Sequence, residues 1–263
     1  MRYRFWILTW IFCIPTLLSG QILTKELKRH IENARSSHQP IKIAEHFLGL
    51  PYKAFALSKE NPERLITDLS GFDCVTLFDN LYALYTSKGV DSSYLKQLIK
   101  VRYYHPGSVT YENRNHYFSS TVKKLGDVGE LNQVQDAAFE VSTPKKLDVL
   151  SQFLKMKHYQ ISLDSILKME KQFSNQHLTY FPTKSIPKIS HLIHEGDLVL
   201  FLTNHENMDF HHVGFLVKKG KNWHILHASQ QYKKVIVSHE SLQEYLRKRP
   251  SFPGIQIYHL NLP

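Results

Sequence analysis

Gly71-Phe72-Asp73-Cys74-Val75-Thr76-Leu77-Phe78 is the stretch from which the rest of this 263-residue chain can be read. Counting from Cys74, the apolar residues Phe78, Leu81 and Tyr85 recur at helical spacing. This predicts an amphipathic helix with the thiol in its first turn and Asp73 as its N-cap. A sulfur in that position meets unpaired backbone N–H groups and the positive end of the helix dipole, so thiolate is favoured and a lowered pKa is expected. The alternative for a lone cysteine is a small hydrophobe packed in the core. Two further features of the chain point to chemistry instead.

The first is the cysteine count. There are two cysteines, and Cys13 lies in a segment that reads as a secretory signal: Arg2 and Arg4, the apolar run from Phe5 to Leu18, then Ser19 and Gly20. Cleavage near Gly20 leaves Cys74 without an internal partner, so it is tolerated, used between chains, or reactive. Residue 21 is Gln, which excludes the lipoprotein pattern, and the apolar run is short of the ~20 residues a transmembrane helix needs. The expectation is an exported protein, periplasmic or secreted, with no stable membrane anchor after cleavage.

With 42% hydrophobic and 21% charged residues, the chain has enough apolar material for a real core and excludes a disordered class. Residues 21–263 read as one domain carrying an insertion lobe at about 119–185. The formal charge of +10 becomes +8 once Arg2 and Arg4 leave, because the leader has no acidic residue. That balance favours anionic partners such as acidic cell-envelope polymers. Nucleic acid is excluded as the partner by export and by the absence of a dense Lys/Arg run or an aromatic RNA-binding pattern.

In chain order the mature part starts with helices, at Leu23 to Arg35 and Ile41 to Phe47. The turn Leu48-Gly49-Leu50-Pro51-Tyr52 and a polar loop from Lys53 to Ser70 lead to the cysteine helix, which is expected to stop at Gly89. Another helix is predicted from Ser92 to about Arg102. Arg114, His116 and Tyr117 cluster in a loop and suit a wall that grips a polar substrate. One strand, Ala137 to Ser142, and helices near Lys145 to Met156 and Ser162 to Phe173 make up the lobe. The final quarter is strand-rich: Gly196 to Phe201, His211 to Val217, Trp223 to Ala228, Val235 to Val237 and Ile255 to His259, with a helix from Glu240 to Arg247. The fold class is therefore α+β, with early helices packed on a mostly antiparallel sheet of about five strands.

The second feature is histidine placement. A cysteine nucleophile needs a base within hydrogen-bond reach and a third polar group to hold the base. Strand alternation separates His211 from His212 and His224 from His227, and periodicity alone does not choose within either pair. A zinc site drawn from His205, His211, His212, His224 and His227 with Asp197 or Asp209 is an alternative. It lacks His-Glu-x-x-His or paired-cysteine spacing, and no metal or other cofactor is assigned.

The ordered set Leu-Gly-Leu-Pro-Tyr (48–52), Phe-Asp-Cys (72–74), Gly-Asp-Leu-Val (196–199), His-Val-Gly (212–214) and His-Ala-Ser (227–229) resembles the NlpC-type cysteine peptidases, bacterial cell-wall hydrolases with a papain-like fold. Asp73 to Leu77, Arg114 to Tyr117, Tyr180-Phe181-Pro182, Met208-Asp209 and Gly254-Ile255 resemble the N-acetylmuramoyl-L-alanine amidase-like branch of that superfamily. The resemblance implies a papain-like fold and hydrolysis of the amide between N-acetylmuramic acid and L-alanine in peptidoglycan or its fragments by a monomer. It makes Cys74 the nucleophile, His212 the general base and acid, and His227 the residue that orients the base. Tyr52 joins the Cys74 backbone at the oxyanion; Asp73, Arg114, His116, Tyr117 and Ser229 are candidates for shaping or gripping the substrate site. A D-glutamyl-diamino acid endopeptidase and a non-catalytic envelope-binding protein are the alternatives. The sequence departs from the pattern at Asp79 and Asn80 and around Ser151 to Tyr159.

Overall fold

The helix α3, Cys74–Thr86, begins at the expected residue, and its first turn is closed by a capping box. Thr76 N–H donates to Asp73 Oδ1 at 2.8 Å while Asp73 N–H donates to Thr76 Oγ1 at 3.0 Å, so two orphan donors of the first turn are satisfied reciprocally. The helix is not amphipathic in the manner its spacing predicts, because every residue from Thr76 to Tyr85 is buried. Its polar side is covered by other helices. Asp79 pairs with Arg102 Nε at 2.9 Å, and Asn80 accepts from the Tyr94 hydroxyl at 2.5 Å. That is the structural use of the two residues that break the family pattern.

The computed structural model describes residues 25–57, 62–87, 92–105, 107–157, 163–174 and 176–262. The leader-like segment and Gly89 lie outside them. Around α3 lie α1 (Lys25–Ser36), α2 (Ile41–His46), α4 (Ser92–Arg102) and α5 (Phe118–Asp127). Arg35 of α1 reaches the C-terminal end of α3 and donates to the carbonyls of Tyr85 at 2.9 Å and Leu84 at 2.7 Å, and also to that of Ser87. A guanidinium there satisfies orphan carbonyls and complements the negative end of the helix dipole.

The other layer is a sheet of eight strands among the described residues: β1 (Leu131–Gln133), β2 (Val141–Lys145), β3 (Gln176–Pro182), β4 (Leu198–Leu202), β5 (Phe210–Lys219), β6 (Asn222–Ser229), β7 (Lys234–Val237) and β8 (Gly254–Leu260). Its order is β2-β3-β8-β4-β5-β6-β7, with β1 also on β8, and every pairing is antiparallel. The sequence predicts about five strands in the sheet and a separate lobe strand; β1 and β3 are additions, and β2, the lobe strand, joins the same sheet. They are short or carry Pro144 and Pro182, so they show no alternation, and pairing with β8 and with each other makes them strands. The strand expected at Ala137 to Ser142 begins later, at Val141. Of the expected lobe, α6 (Val149–Lys157) and α7 (Leu163–Phe173) form as helices near the expected positions.

Both faces of the sheet are covered, which is why β4 reads Leu-Val-Leu-Phe-Leu without a polar residue. Leu198, Leu200, Val213, Phe215, Leu226, Ala228 and Val235 pack toward α3. Val199, Phe201, Leu216, Ile225, Ile255 and Ile257 pack toward the short helix α8 (Ile186–Ile189) and α9 (Leu242–Arg247) on the other side.

A strap holds the head of α3 in place. Gly49 to Tyr52 runs along β7, with Gly49 N–H to Val235 O at 2.8 Å, Val235 N–H to Leu50 O at 2.8 Å and Tyr52 N–H to Lys233 O at 2.9 Å. On its other side Phe72 N–H donates to Pro51 O at 3.0 Å. A Cβ on Gly71 would stand 2.6 Å from the Pro51 carbonyl oxygen, so only glycine lets the two segments meet.

Candidate active site

Cys74 is partly exposed and unpaired at the start of α3, which packs on β5 and β6, and the backbone N–H groups of Val213, of Val75 and of Cys74 itself favour its thiolate. The head of the helix is thus docked on the strand that carries the His-Val-Gly motif. Those donors pull the thiol pKa down, as expected for a helix N-terminus. Burial, followed by the Asp73 carboxylate, outweighs them and pushes the thiol up to about 12. The lowering expected from the helix N-terminus is thus overturned by burial and the Asp73 charge, which favour the neutral thiol.

On β5 the ladder to β4 shifts register between Phe201 and Leu202, so that Phe201 faces His212 and Leu202 faces Phe210, with His211 as the extra residue. This bulge bends the strand and breaks the strict alternation the sequence predicts. The His211 ring lies 5.2 Å from Phe252 and the His212 ring 5.8 Å from Phe201, two members of one apolar cluster. His211 is exposed and His212 half-buried.

The paired ladder between β5 and β6 runs from Lys219 and Asn222 to Phe215 and Leu226. Just beyond, His212 Nε2 and His227 Nδ1 are 2.7 Å apart, a hydrogen bond across the strands. Gly214 makes this possible. A Cβ there would lie 2.7 Å from Ile225 Cγ2 and 3.1 Å from His227 Cβ, so the missing side chain is the space over which His227 reaches its partner. Burial holds both imidazoles neutral: His212 lies well below the usual histidine range and His227 at about 4, with the nearby Arg249 charge pushing the same way. His224, in contrast, is tied by Nδ1 to Ser238 O at 3.0 Å.

Tyr52 stands on the strap, and its hydroxyl pKa is raised to about 12, first by burial, then by Cys74 and Asp73. The strap therefore brings this phenol to the thiol. Asp73 is engaged as the N-cap. Ser229 accepts Tyr232 N–H at 3.2 Å and shapes the turn between β6 and β7.

The loop residues expected to grip substrate have inward roles. Arg114 pairs with Glu63, donates to Leu57 O at 2.8 Å and lies 4.8 Å from the Tyr111 ring centre. His116 Nε2 contacts Tyr111 O at 2.6 Å, and burial pushes its pKa down to about 3. Tyr117 is buried, with its hydroxyl donating to Glu170 at 2.6 Å. Together these three fasten the loop after α4 to neighbouring segments through Arg114 Nε and Nη2, His116 Nε2 and the Tyr117 hydroxyl. Tyr245 and Arg249, which sequence reasoning did not single out, line the histidine pair: the Tyr245 ring meets His227 edge-on at 5.7 Å and Arg249 stacks on Tyr245 at 3.6 Å. Their only signal in the sequence is the short helix expected from Glu240 to Arg247 and the residues that follow it.

The two carboxylates named for a zinc alternative are engaged away from the histidine pair. Asp209 accepts Ser119 N–H at 2.7 Å, and Asp197 contacts His259 Nδ1 at 2.8 Å. His194, Asp197 and His259 are the one group of metal-ligand type among the described residues, with ligand atoms within 4.8 Å of one another. Asp197 already takes His194 N–H and the His259 ring nitrogen, and it pairs along β5 with Leu216, toward the end remote from His212.

No curated protein sequence matches the chain. Among solved structures, an N-acetylmuramoyl-L-alanine amidase from Bacteroides uniformis is similar at 24% identity and TM-score 0.77, covering 89% of this chain and 99% of its own. A Bacteroides fragilis protein named as a candidate xylanase has 25% identity and TM-score 0.76, over 82% of this chain and 98% of its own. A Legionella pneumophila protein has 16% identity and TM-score 0.70, over 90% and 94%. At such identities the likeness speaks for the fold. Residues 42–255 match the family model for N-acetylmuramoyl-L-alanine amidase-like proteins, a span that takes in Cys74, His212 and His227, and the chain belongs to that family.

Proposed function

We propose that this protein is an exported cell-wall amidase of the papain-like, NlpC-type architecture that cleaves the bond between N-acetylmuramic acid and L-alanine with Cys74 as nucleophile. The observation that carries this reading is that the head of α3 packs on β5, where Val213 N–H acts on the Cys74 sulfur one residue from an imidazole that is itself held by a second imidazole.

With Nε2 of His212 committed to His227, its Nδ1 is the nitrogen left to serve the thiol. In the neutral tautomer that fits, His212 donates from Nε2 to His227 Nδ1 and accepts at Nδ1. As the sulfur attacks the lactyl carbonyl, the thiol proton passes to Nδ1 and a tetrahedral adduct forms. The imidazolium then gives that proton to the departing alanine nitrogen, leaving a thioester. Water attacks the thioester, His212 takes its proton, and release of the muramic carboxylate returns the thiol. The Cys74 N–H and the Tyr52 hydroxyl are the donors for the oxyanion; one such donor is typically worth about two to three powers of ten in rate.

The test is mass spectrometry of purified muropeptides incubated with wild type, Cys74→Ser and His212→Gln. Intact stem peptide with a free alanine amine is expected from wild type only. Fragments ending in D-glutamate would transfer the assignment to an endopeptidase. Unchanged muropeptides under every condition would remove hydrolysis altogether.

A further inference from the structure

Three arginines of this protein are spent on internal partners. Arg102 is on Asp79, Arg114 on Glu63, and Arg35 on the carbonyls that end α3. Arg249 is different. It follows α9, is half-buried, and forms no ion pair with a described carboxylate. The nearby Glu240 is bonded to Lys248 at 3.3 Å instead.

The Arg249 guanidinium is nonetheless fixed. It lies 3.6 Å from the Tyr245 ring centre, donates from Nη1 to Tyr245 O at 3.0 Å and from Nη2 to Gln231 Oε1 at 3.0 Å. These neutral partners orient the fork and leave further N–H donors available, while the nearby Glu240 carboxylate, bonded to Lys248, acts on the guanidinium only through space. Tyr245, the platform, abuts His227, which holds His212.

A fixed cation beside this pair opposes catalysis as drawn above, because the first step creates an imidazolium on His212. A bound anion would cancel that opposition and would find a preset guanidinium to accept it. The muramyl peptide carries such a group: the residue after L-alanine has an α-carboxyl on the leaving side of the scissile amide. We infer that Arg249 is the residue that recognises a carboxylate of the substrate, selecting muramyl peptides whose second stem residue carries a free α-carboxylate over those in which it is amidated. This rests on the amidase reading and adds its substrate class.

Two muramyl tripeptides, alike except for a free acid or a carboxamide at that α-carbon, provide the test. Wild type is expected to cleave the free acid with kcat/KM about tenfold or more above the carboxamide, the worth of one charge-assisted hydrogen bond. Arg249→Gln should reduce that ratio to about twofold or less through a fall on the free acid, and Arg249→Lys should keep part of it. Equal cleavage of both substrates by wild type overturns the inference and leaves the amidase standing, as does an undiminished ratio in an Arg249→Gln protein whose melting curve matches wild type. Failure of wild type to cleave either substrate overturns both.

Discussion

A thiol at a helix head is activated only if the charges around it allow, and at Cys74 they do not until a proton acceptor intervenes. The backbone N–H groups near the sulfur are outweighed by burial and by Asp73, which favour the neutral thiol, and burial likewise favours the neutral imidazole of His212. In the mechanism proposed above, proton transfer then accompanies attack. The consequence is a distinctive pH profile for alkylation. Below the folded-state pKa of about 12 the thiolate fraction rises tenfold per pH unit, so iodoacetamide should react with Cys74 ever faster from neutral pH to beyond pH 10. Asp73→Asn, which keeps a good N-cap but removes the charge, should alkylate faster at pH 8. A rate that levels off near pH 7 would mean a stable thiolate-imidazolium pair and would refute this account. The position of Cys74 was legible from the spacing that follows it. Its protonation state was not, because the dominant causes are packing and a neighbouring charge.

At the scale of elements, two glycines do what no side chain could. Gly71 admits the Pro51 carbonyl beneath the cysteine helix, and Gly214 admits His227 beneath His212. The second is the more telling, since it explains why a His-x-Gly spacing accompanies a cross-strand histidine pair. Gly214→Ala places a methyl 2.7 Å from Ile225 Cγ2 and 3.0 Å from Leu226 O, backbone that cannot easily withdraw. Overpacking of this kind costs about 1–3 kcal/mol. The expected result is a lower melting temperature together with a loss of turnover larger than the stability change accounts for, because His227 is displaced. Retained turnover at a lowered melting temperature would show that the histidine pair is dispensable. The strand periods of the last quarter, and hence β4 to β8, were readable directly. The bulge at His211 was not, since it arises from register against β4.

For the molecule as a whole, α3 is the piece that everything encloses: helices on one side, the sheet on the other, and the strap at its head. Enclosing it buries Asp79, and Arg102 from α4 offsets the desolvation while also donating to Ile66 O at 2.5 Å. Arg102→Leu leaves that carboxyl unpaired, a change that typically costs about 3–5 kcal/mol. For a domain of this size that corresponds to a fall in Tm of very roughly 10 °C, measurable by thermal melting; the Arg102→Leu, Asp79→Leu double variant should recover much of it. No recovery would show that Arg102 matters for its packing rather than its charge. Local pattern alone determined the α+β class, the cysteine at a helix head, Asp73 as its cap and the strands of the last quarter, because each depends on neighbours within a turn or a strand. Only the tertiary structure decided which histidines meet, that Arg114, His116 and Tyr117 turn inward, that α3 is buried on all sides, and that burial favours the neutral thiol. Those depend on segments far apart in the chain, and the energy of a charge or a hydrogen bond is set by what lies beside it in space.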